Sequence, residues 1–134
     1  MKALTVRQPW AHAVLYLGKT IENRTWPTAH RGPLLIHAAR RKAGPASPEW
    51  VEGLASNAIL GVVELADCLR DDPPGADPDE ASYHWVLTDP RAFASPLPYI
   101  GREGLFQVAD AAVAGALALV LAVRPGRGAP QAGE

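Results

Sequence analysis

A chain of 134 residues is long enough for one domain with a buried core, and 48% apolar with 20% charged residues is typical of a globular protein. Its single cysteine, Cys68, excludes an internal disulfide and a cysteine-rich zinc site and is typical of a reducing compartment. The N-terminus contains no apolar signal region, and the longest apolar run, residues 111–123, is too short to cross a bilayer. We therefore expect a cytoplasmic protein without a membrane partner.

The net charge of −1 conceals an uneven distribution along the chain. Residues 1–42 contain a single acid, Glu22, and eight bases, namely Lys2, Arg7, Lys19, Arg24, Arg31, Arg40, Arg41 and Lys42. This asymmetry predicts a basic surface built from the N-terminal third. The alternative, that the two halves of the chain neutralise each other across the fold, remains open at this stage.

The first quarter of the chain predicts a strand, a helix and a second strand. Residues 2–7 alternate as a strand does, and Pro9 suits the first position of a helix over 9–17. Gly18 stands where a glycine commonly ends a helix. The stretch 20–26 alternates again and places Glu22, Arg24 and Trp26 on one face.

The rest of the chain predicts more strands than helices. A short helix begins near Ser47 and Pro48, and an acidic, proline-rich surface loop occupies 71–82. Further strands are expected at 33–39, 58–70, 83–89 and 103–109. The pattern is that of an α+β, mostly β protein, a small barrel with flanking helices, in one domain over 1–124. The Gly- and Pro-rich tail 125–134 is expected to be disordered.

Gly18, Lys19 and Thr20 match the last three positions of a phosphate-binding P-loop. That motif needs another glycine five residues before Gly18, where Ala13 stands. A P-loop also opens a helix, whereas Gly18 follows the predicted one. Both features argue against a nucleoside-triphosphate site of this type.

Charged residues inside apolar strands are the candidates for chemistry. Glu64 stands in the apolar run 58–70, so its carboxylate must be paired, protonated or directed into a cleft. Either an ordering ion pair or a cleft-lining carboxylate fits, with Lys19 or Arg24 as partner. Arg24 offers a rigid fork for phosphate or carboxylate, and Lys19 a movable charge.

The tryptophans and histidines are further candidates for ligand contacts. Trp10 and Trp26 bracket the Lys19–Arg24 segment and could stack on a base. The four histidines lie in unrelated contexts without metal-ligand spacing, so we expect no metal and no cofactor, and His12 and His37 are interpreted as structural.

Five segments, in this order and spacing, resemble the ASCH domain family. They are "LTVRQPWAHAVLYLGKTIENRTW", "RGPLLIHAA", "AILGVVELADC", "YHWVLTDPRAF" and "PLPYIGREGLFQV". The charged core of the family corresponds to Gly18, Lys19, Glu22 and Arg24, and its late glycine motif to Gly101, Gly104, Leu105 and Phe106. The resemblance covers residues 3–109 and implies a β-barrel similar to the RNA-binding PUA domain.

The resemblance also implies a cleft that takes RNA or a modified nucleoside. Some relatives are amidohydrolases on N4-acetylcytidine that use a lysine, a threonine and a glutamate. Lys19 and Glu64 match the lysine and the glutamate, but Glu22 occupies the threonine position, and a carboxylate cannot replace a hydroxyl. Other relatives are proposed ribonucleases.

We therefore expect an RNA- or nucleoside-binding protein, with a small hydrolase as the alternative. The candidate catalytic residues are Lys19, Glu22 and Glu64. The candidate ligand contacts come from the basic N-terminal third and its tryptophans: Arg7, Gln8, Trp10, Lys19, Glu22, Arg24, Trp26, Arg40, Arg41 and Lys42. The oligomeric state cannot be read from the sequence.

Overall fold

The structure, a computed structural model, describes residues 1–42, 49–72, 74–75, 77 and 81–122. These residues form six strands and three helices. In chain order they are β1 (Lys2–Gln8), α1 (Trp10–Tyr16), β2 (Ile21–Arg24), β3 (Gly32–Lys42), α2 (Glu49–Glu52), β4 (Ala58–Asp71), β5 (Ser82–Pro98), β6 (Leu105–Gln107) and α3 (Asp110–Ala122). None of the helices in this part of the chain is long and apolar enough to cross a membrane.

One sheet contains all six strands, in the order β2-β5-β4-β3-β1-β6. Only β1 and β3 pair in parallel, and every other pair is antiparallel. The sheet curls into a half-barrel with the helices on its flanks, so the predicted mostly β barrel with flanking helices is confirmed.

β-bulges in the long hairpin of β4 and β5 bend the sheet. The pairing of these strands shifts in register between Ile59 and Gly61, between Val62 and Glu64, and between Leu65 and Asp67. At Gly61 the partner backbone comes so close that a Cβ atom would lie 2.4 Å from the carbonyl oxygen of Arg91. Bulges of this kind increase twist and bend, which brings β2 round towards β1.

Apolar side chains on the two faces of the sheet build two cores. The inner core lies inside the curl, where Trp85 and Leu4 pack with Val14 of α1. The outer core lies under α3, where Leu35 and Ile59 pack with Val113. Strands buried on both faces explain the continuous apolar runs in the sequence.

The structure corrects several element boundaries. Helix α1 begins at Trp10 with Pro9 as its N-cap, and Gly18 follows its end with φ of 75°. Strand β5 continues to Pro98, nine residues beyond the expected end at residue 89, and β6 is only three residues long. Ser47, Pro48 and the tail 125–134 lie outside the described residues.

Helix α3 was not predicted as a helix. Its sequence, DAAVAGALALVLA, is rich in alanine and leucine, which are the strongest helix formers. Apolar residues surround the whole helix, however, so the sequence has no helical periodicity by which a helix could be recognised.

Candidate functional site

A cavity of about 990 Å³ lies where β2 curls round to face β1. Its walls come from β1, β2, β3 and the loop 100–104, which precedes β6. Five arginines and two glutamates are among the lining residues: Arg7, Arg24, Arg40, Arg41, Arg102, Glu22 and Glu103. The cavity is therefore predominantly basic.

Lys19, Glu22 and Arg24 form one ion-paired group, which we call the charge cluster. The two carboxylate oxygens of Glu22 lie 3.3 Å from Lys19 Nζ and 3.3 Å from Arg24 Nε. Lys19 Nζ also donates a hydrogen bond to the backbone oxygen of Ile21. Since only 12% of the Glu22 side chain is exposed, its charge is balanced within the cluster and not by solvent.

Arg24 joins the two edges of the curled sheet. Its Nη2 donates a hydrogen bond of 2.6 Å to the backbone oxygen of Thr5 in β1. Burial lowers the pKa of Arg24, and the nearby Glu22 carboxylate opposes that effect, so the guanidinium remains charged. Its buried Nε–H makes no hydrogen bond, because the short distance to Glu22 lacks the required direction.

The other four arginines of the cavity form what we call the arginine rim: Arg7, Arg40, Arg41 and Arg102. All four are exposed. None of them makes an ion pair with another residue that the structure describes.

Arginines elsewhere on the surface behave differently from the rim. Arg31, Arg70 and Arg91 each lie within 3.4 Å of a carboxylate. The contrast shows that the positive charge of the cavity border is not neutralised locally.

The two candidate tryptophans differ in how much surface they offer. Trp10 lines the cavity and is 51% exposed. Trp26 also lines it, but its ring packs edge-on against Trp85 at 4.8 Å, and a Cβ on Gly104 would lie 3.3 Å from it. Trp10 therefore offers a free aromatic face, whereas Trp26 is largely a wall of the cavity.

His37, which the sequence leads us to expect as a structural residue, also lines the cavity. It is 1% exposed, and its Nε2 lies 2.6 Å from the backbone oxygen of Tyr99, which can only accept. Its Nδ1 lies 3.3 Å from Thr5 Oγ1, which donates a 2.6 Å hydrogen bond to the backbone oxygen of Arg102. His37 thus holds the loop that carries Arg102 of the rim.

Burial sets the protonation state of His37. It lowers the pKa of the imidazole, while the hydrogen bond to Tyr99 opposes that effect. The loop packs tightly on the ring, since a Cβ at Gly101 would lie 2.5 Å from its Cε1. Gly101 belongs to the late glycine motif of the family. Its lack of a side chain permits this close approach to the ring.

Three predicted site residues, Gln8, Lys19 and Glu64, do not line the large cavity. Gln8 is buried and structural, since its Oε1 accepts from the His12 N–H and its Nε2 donates to the Ala55 oxygen. Lys19 lines a separate apolar pocket of about 240 Å³. The side chain of Lys42 lies outside the described part of the chain.

Glu64, a candidate catalytic residue in the sequence, lies apart from the other charged candidates. It is exposed, and it is not among the lining residues of either the cavity or the pocket beside Lys19. The bulge after Ile59 places Leu60 on the inner face but Val62 on the outer face, which Glu64 shares. Its carboxylate therefore reaches the surface and needs no buried partner.

Several cavity residues were missed because their sequence context is ordinary. They are isolated residues of β1, β2 and β3 and of the loops before β4 and β6: Thr5, Asn23, Ala39, Asn57, Ile100, Arg102 and Glu103. No group of three or more His, Cys, Asp or Glu that could hold a metal ion occurs among the described residues.

Comparison with known proteins agrees with the sequence resemblance. The family model of the ASCH domain matches residues 4–97, and the chain therefore belongs to the ASCH domain family. Activating signal cointegrator 1 of Homo sapiens and that of Mus musculus are each 25% identical to it over 126 residues. These alignments cover 78% of this chain but only 22% of the two relatives.

Solved ASCH structures share the fold. The ASCH protein of Zymomonas mobilis superposes with a TM-score of 0.62 at 14% identity, covering 88% of this chain and 94% of that protein. A single-residue mutant of the same protein gives a TM-score of 0.60 at 13% identity, over the same shares. At such identities the likeness concerns the fold alone.

Proposed function

We propose that the protein binds RNA or a nucleotide, with one base inside the large cavity and phosphate on the arginine rim. One observation carries the proposal. Four exposed arginines without ion pairs to described residues border a cavity that also presents the free face of Trp10. Arginine binds phosphate through two parallel hydrogen bonds, and an exposed indole can stack on a base.

The charge cluster supports a base in the interior of the cavity. Glu22 is already neutralised by Lys19 and Arg24, but each carboxylate oxygen can accept more than one hydrogen bond. A glutamate accepts well from an exocyclic amine such as that of cytosine. The buried, unpartnered Nε–H of Arg24 offers a donor beside that acceptor.

The family supports RNA as the source of the nucleotide, because ASCH domains resemble the RNA-binding PUA domain. The bases of single-stranded RNA can leave the stack and enter such a cavity, whereas those of a duplex cannot.

A hydrolase is not favoured by the geometry. Two of the three candidate catalytic residues, Lys19 and Glu64, lie outside the cavity lining. The ammonium of Lys19 is also held by Glu22 and by the Ile21 oxygen.

The test is the salt dependence of binding to a labelled octacytidylate, measured by fluorescence anisotropy. Replacing both Arg40 and Arg41 by alanine should weaken binding about tenfold or more. It should also reduce the slope of log affinity against log salt by about 1.4, since each lost contact with single-stranded phosphate removes about 0.7.

The matched control replaces two arginines that are already paired, Arg31 and Arg70. Affinity and salt slope should remain at wild-type values there. Equal behaviour of the two double variants would contradict the assignment of phosphate to the rim.

A further inference from the structure

Trp50 is an exposed tryptophan that the proposed function does not use. It lies on the single turn of α2 and is 52% exposed, while the next residue, Val51, is completely buried. The insertion of Val51 into the interior fixes the turn and keeps the indole of Trp50 at the surface.

The connection that contains α2 is tied by hydrogen bonds to residues near one end of the cavity. The helix lies in the connection from β3 to β4, after Arg40 and Arg41 of the rim. Asn57, which lines the cavity, ends this connection and donates its N–H to the Ala38 oxygen at 2.8 Å.

A second contact ties the same connection to the neighbourhood of Trp10. Gln8 Nε2 donates a hydrogen bond of 2.9 Å to the backbone oxygen of Ala55. Gln8 is the last residue of β1 and precedes Pro9 and Trp10. In the pairing of β1 with β3, it lies opposite Lys42, the last residue of β3. The ends of β1 and β3 and the α2 connection therefore meet at one border of the cavity.

We propose that Trp50 is a stacking platform for a second nucleotide, adjacent to the one in the cavity. This inference rests on the proposed function and makes it narrower, because the ligand is then a single-stranded RNA chain and not a free nucleoside. Arg40 and Arg41 would contact the phosphate that joins the two nucleotides. Basic side chains that follow the backbone, together with aromatic faces on which successive bases stack, are the common arrangement for single strands.

Positive charge argues for RNA as the occupant of this surface. Arg40 and Arg41 at the cavity border are both exposed and make no ion pair with a described residue, so this border attracts a polyanion. Glu49 and Glu52 flank Trp50 itself, so Trp50 would contribute stacking and not charge. A protein partner is the competing occupant, and the experiment distinguishes it.

The experiment measures the affinity of the full chain for cytidine monophosphate and for oligocytidylates of two, four and eight nucleotides by calorimetry. Wild-type affinity should rise markedly from the mononucleotide to the dinucleotide. The variants W50A and W50L should bind the dinucleotide and longer chains about 5- to 100-fold more weakly, the range for loss of one stacked base. Their affinity for the mononucleotide should not change.

Two further variants control for the fold and for aromatic surface in general. W50F retains an aromatic face and should keep most of the affinity for the oligonucleotides. Y16A removes another exposed aromatic ring, one that lies on α1 and does not line the cavity, and should bind every ligand as wild type does.

The outcomes separate the two proposals. If W50A and W50L bind the dinucleotide as wild type does, or lose mononucleotide and dinucleotide affinity equally, the second platform is wrong while the cavity stands. Trp50 would then be assigned to a protein contact. If wild type binds neither mononucleotide nor oligonucleotide, the proposed function itself is wrong.

Discussion

Glu22 and Arg24 of the charge cluster line the same cavity as the arginine rim, yet the cluster and the rim differ in how their charges are balanced. In the cluster, Glu22 lies between Lys19 and Arg24, and the three side chains balance one another in a partly buried position. In the rim, four exposed arginines have no carboxylate partner among the described residues. Charges that are already paired maintain a structure, whereas unpaired exposed charges are available to a ligand.

This difference indicates a structural role for the charged residues of the family motif. Its residues Lys19, Glu22 and Arg24 attract attention in the sequence as a ligand-binding set. In the structure, the hydrogen bond from Arg24 to the Thr5 oxygen connects β2 with β1 and so helps to shape the cavity. The motif is therefore expected to affect stability first and binding second.

The largest effect should come from removing the centre of the cluster. E22Q leaves Lys19 and Arg24 without their carboxylate, and we expect the free energy of unfolding in urea to fall by about 2 kcal/mol, the range for hydrogen bonds to charged groups. The matched control is D67N, which removes the partner of Arg31 in an exposed pair and should cost about 0.5 kcal/mol or less. Equal effects of the two changes would remove the distinction between cluster and surface pair.

A rim residue should show the reverse behaviour. R102A should weaken binding of octacytidylate about five- to tenfold, because it removes one phosphate contact at low salt. Its unfolding free energy should stay within about 0.5 kcal/mol of wild type, since the side chain makes no bond to another described residue. A variant that binds normally but unfolds more easily would place Arg102 in the structural group.

The pH dependence of stability should separate His37 from the rim that it supports. Burial lowers the pKa of His37 in the folded state, so the unfolded chain takes up the proton first as pH falls. Wild type should therefore lose stability progressively below about pH 6.5, the ordinary value for histidine. H37Q should lose less over the interval from pH 7.5 to 5.5 in urea unfolding, and an unchanged decline would show that other groups cause it.

The smallest effect is expected at Glu64. Because this carboxylate is exposed on the outer face, E64Q should change unfolding free energy by less than about 0.5 kcal/mol. Its affinity for octacytidylate should equal that of wild type in the same anisotropy assay. A large loss of binding would return Glu64 to the site and contradict the separation from Glu22.

Local patterns were sufficient for much of the fold. The strands around residues 33–39 and 58–70 were expected from their apolar runs, and the structure contains β3 and β4 there. Helix α3 was missed for a physical reason, since one apolar side packs on the outer core while Leu119 and Leu121 remain exposed. Periodicity identifies a helix only when its two sides differ.

The candidate site was only partly accessible to the same reasoning. Arg7, Trp10, Arg40 and Arg41 were selected from charge and aromatic content, and all four line the cavity. Arg102 and His37 could not be selected in this way, because long-range contacts bring them to the site. Thr5, for example, donates a hydrogen bond to the backbone oxygen of Arg102, which lies 97 positions away in the sequence.

The sequence by itself determined the family, the mostly β fold and the excess of positive charge in the N-terminal third. These properties depend on motifs, side-chain periodicity and composition, which are local or additive along the chain. Only the tertiary structure decided which charges are paired with one another and which face the cavity. A single bulge in β4 changes which side chains share a face, and it places Glu64 on the exposed outer face. The curl of the sheet brings β2 against β1, and it allows Arg24 to donate a hydrogen bond to Thr5. Neither arrangement can be read from a short segment of sequence.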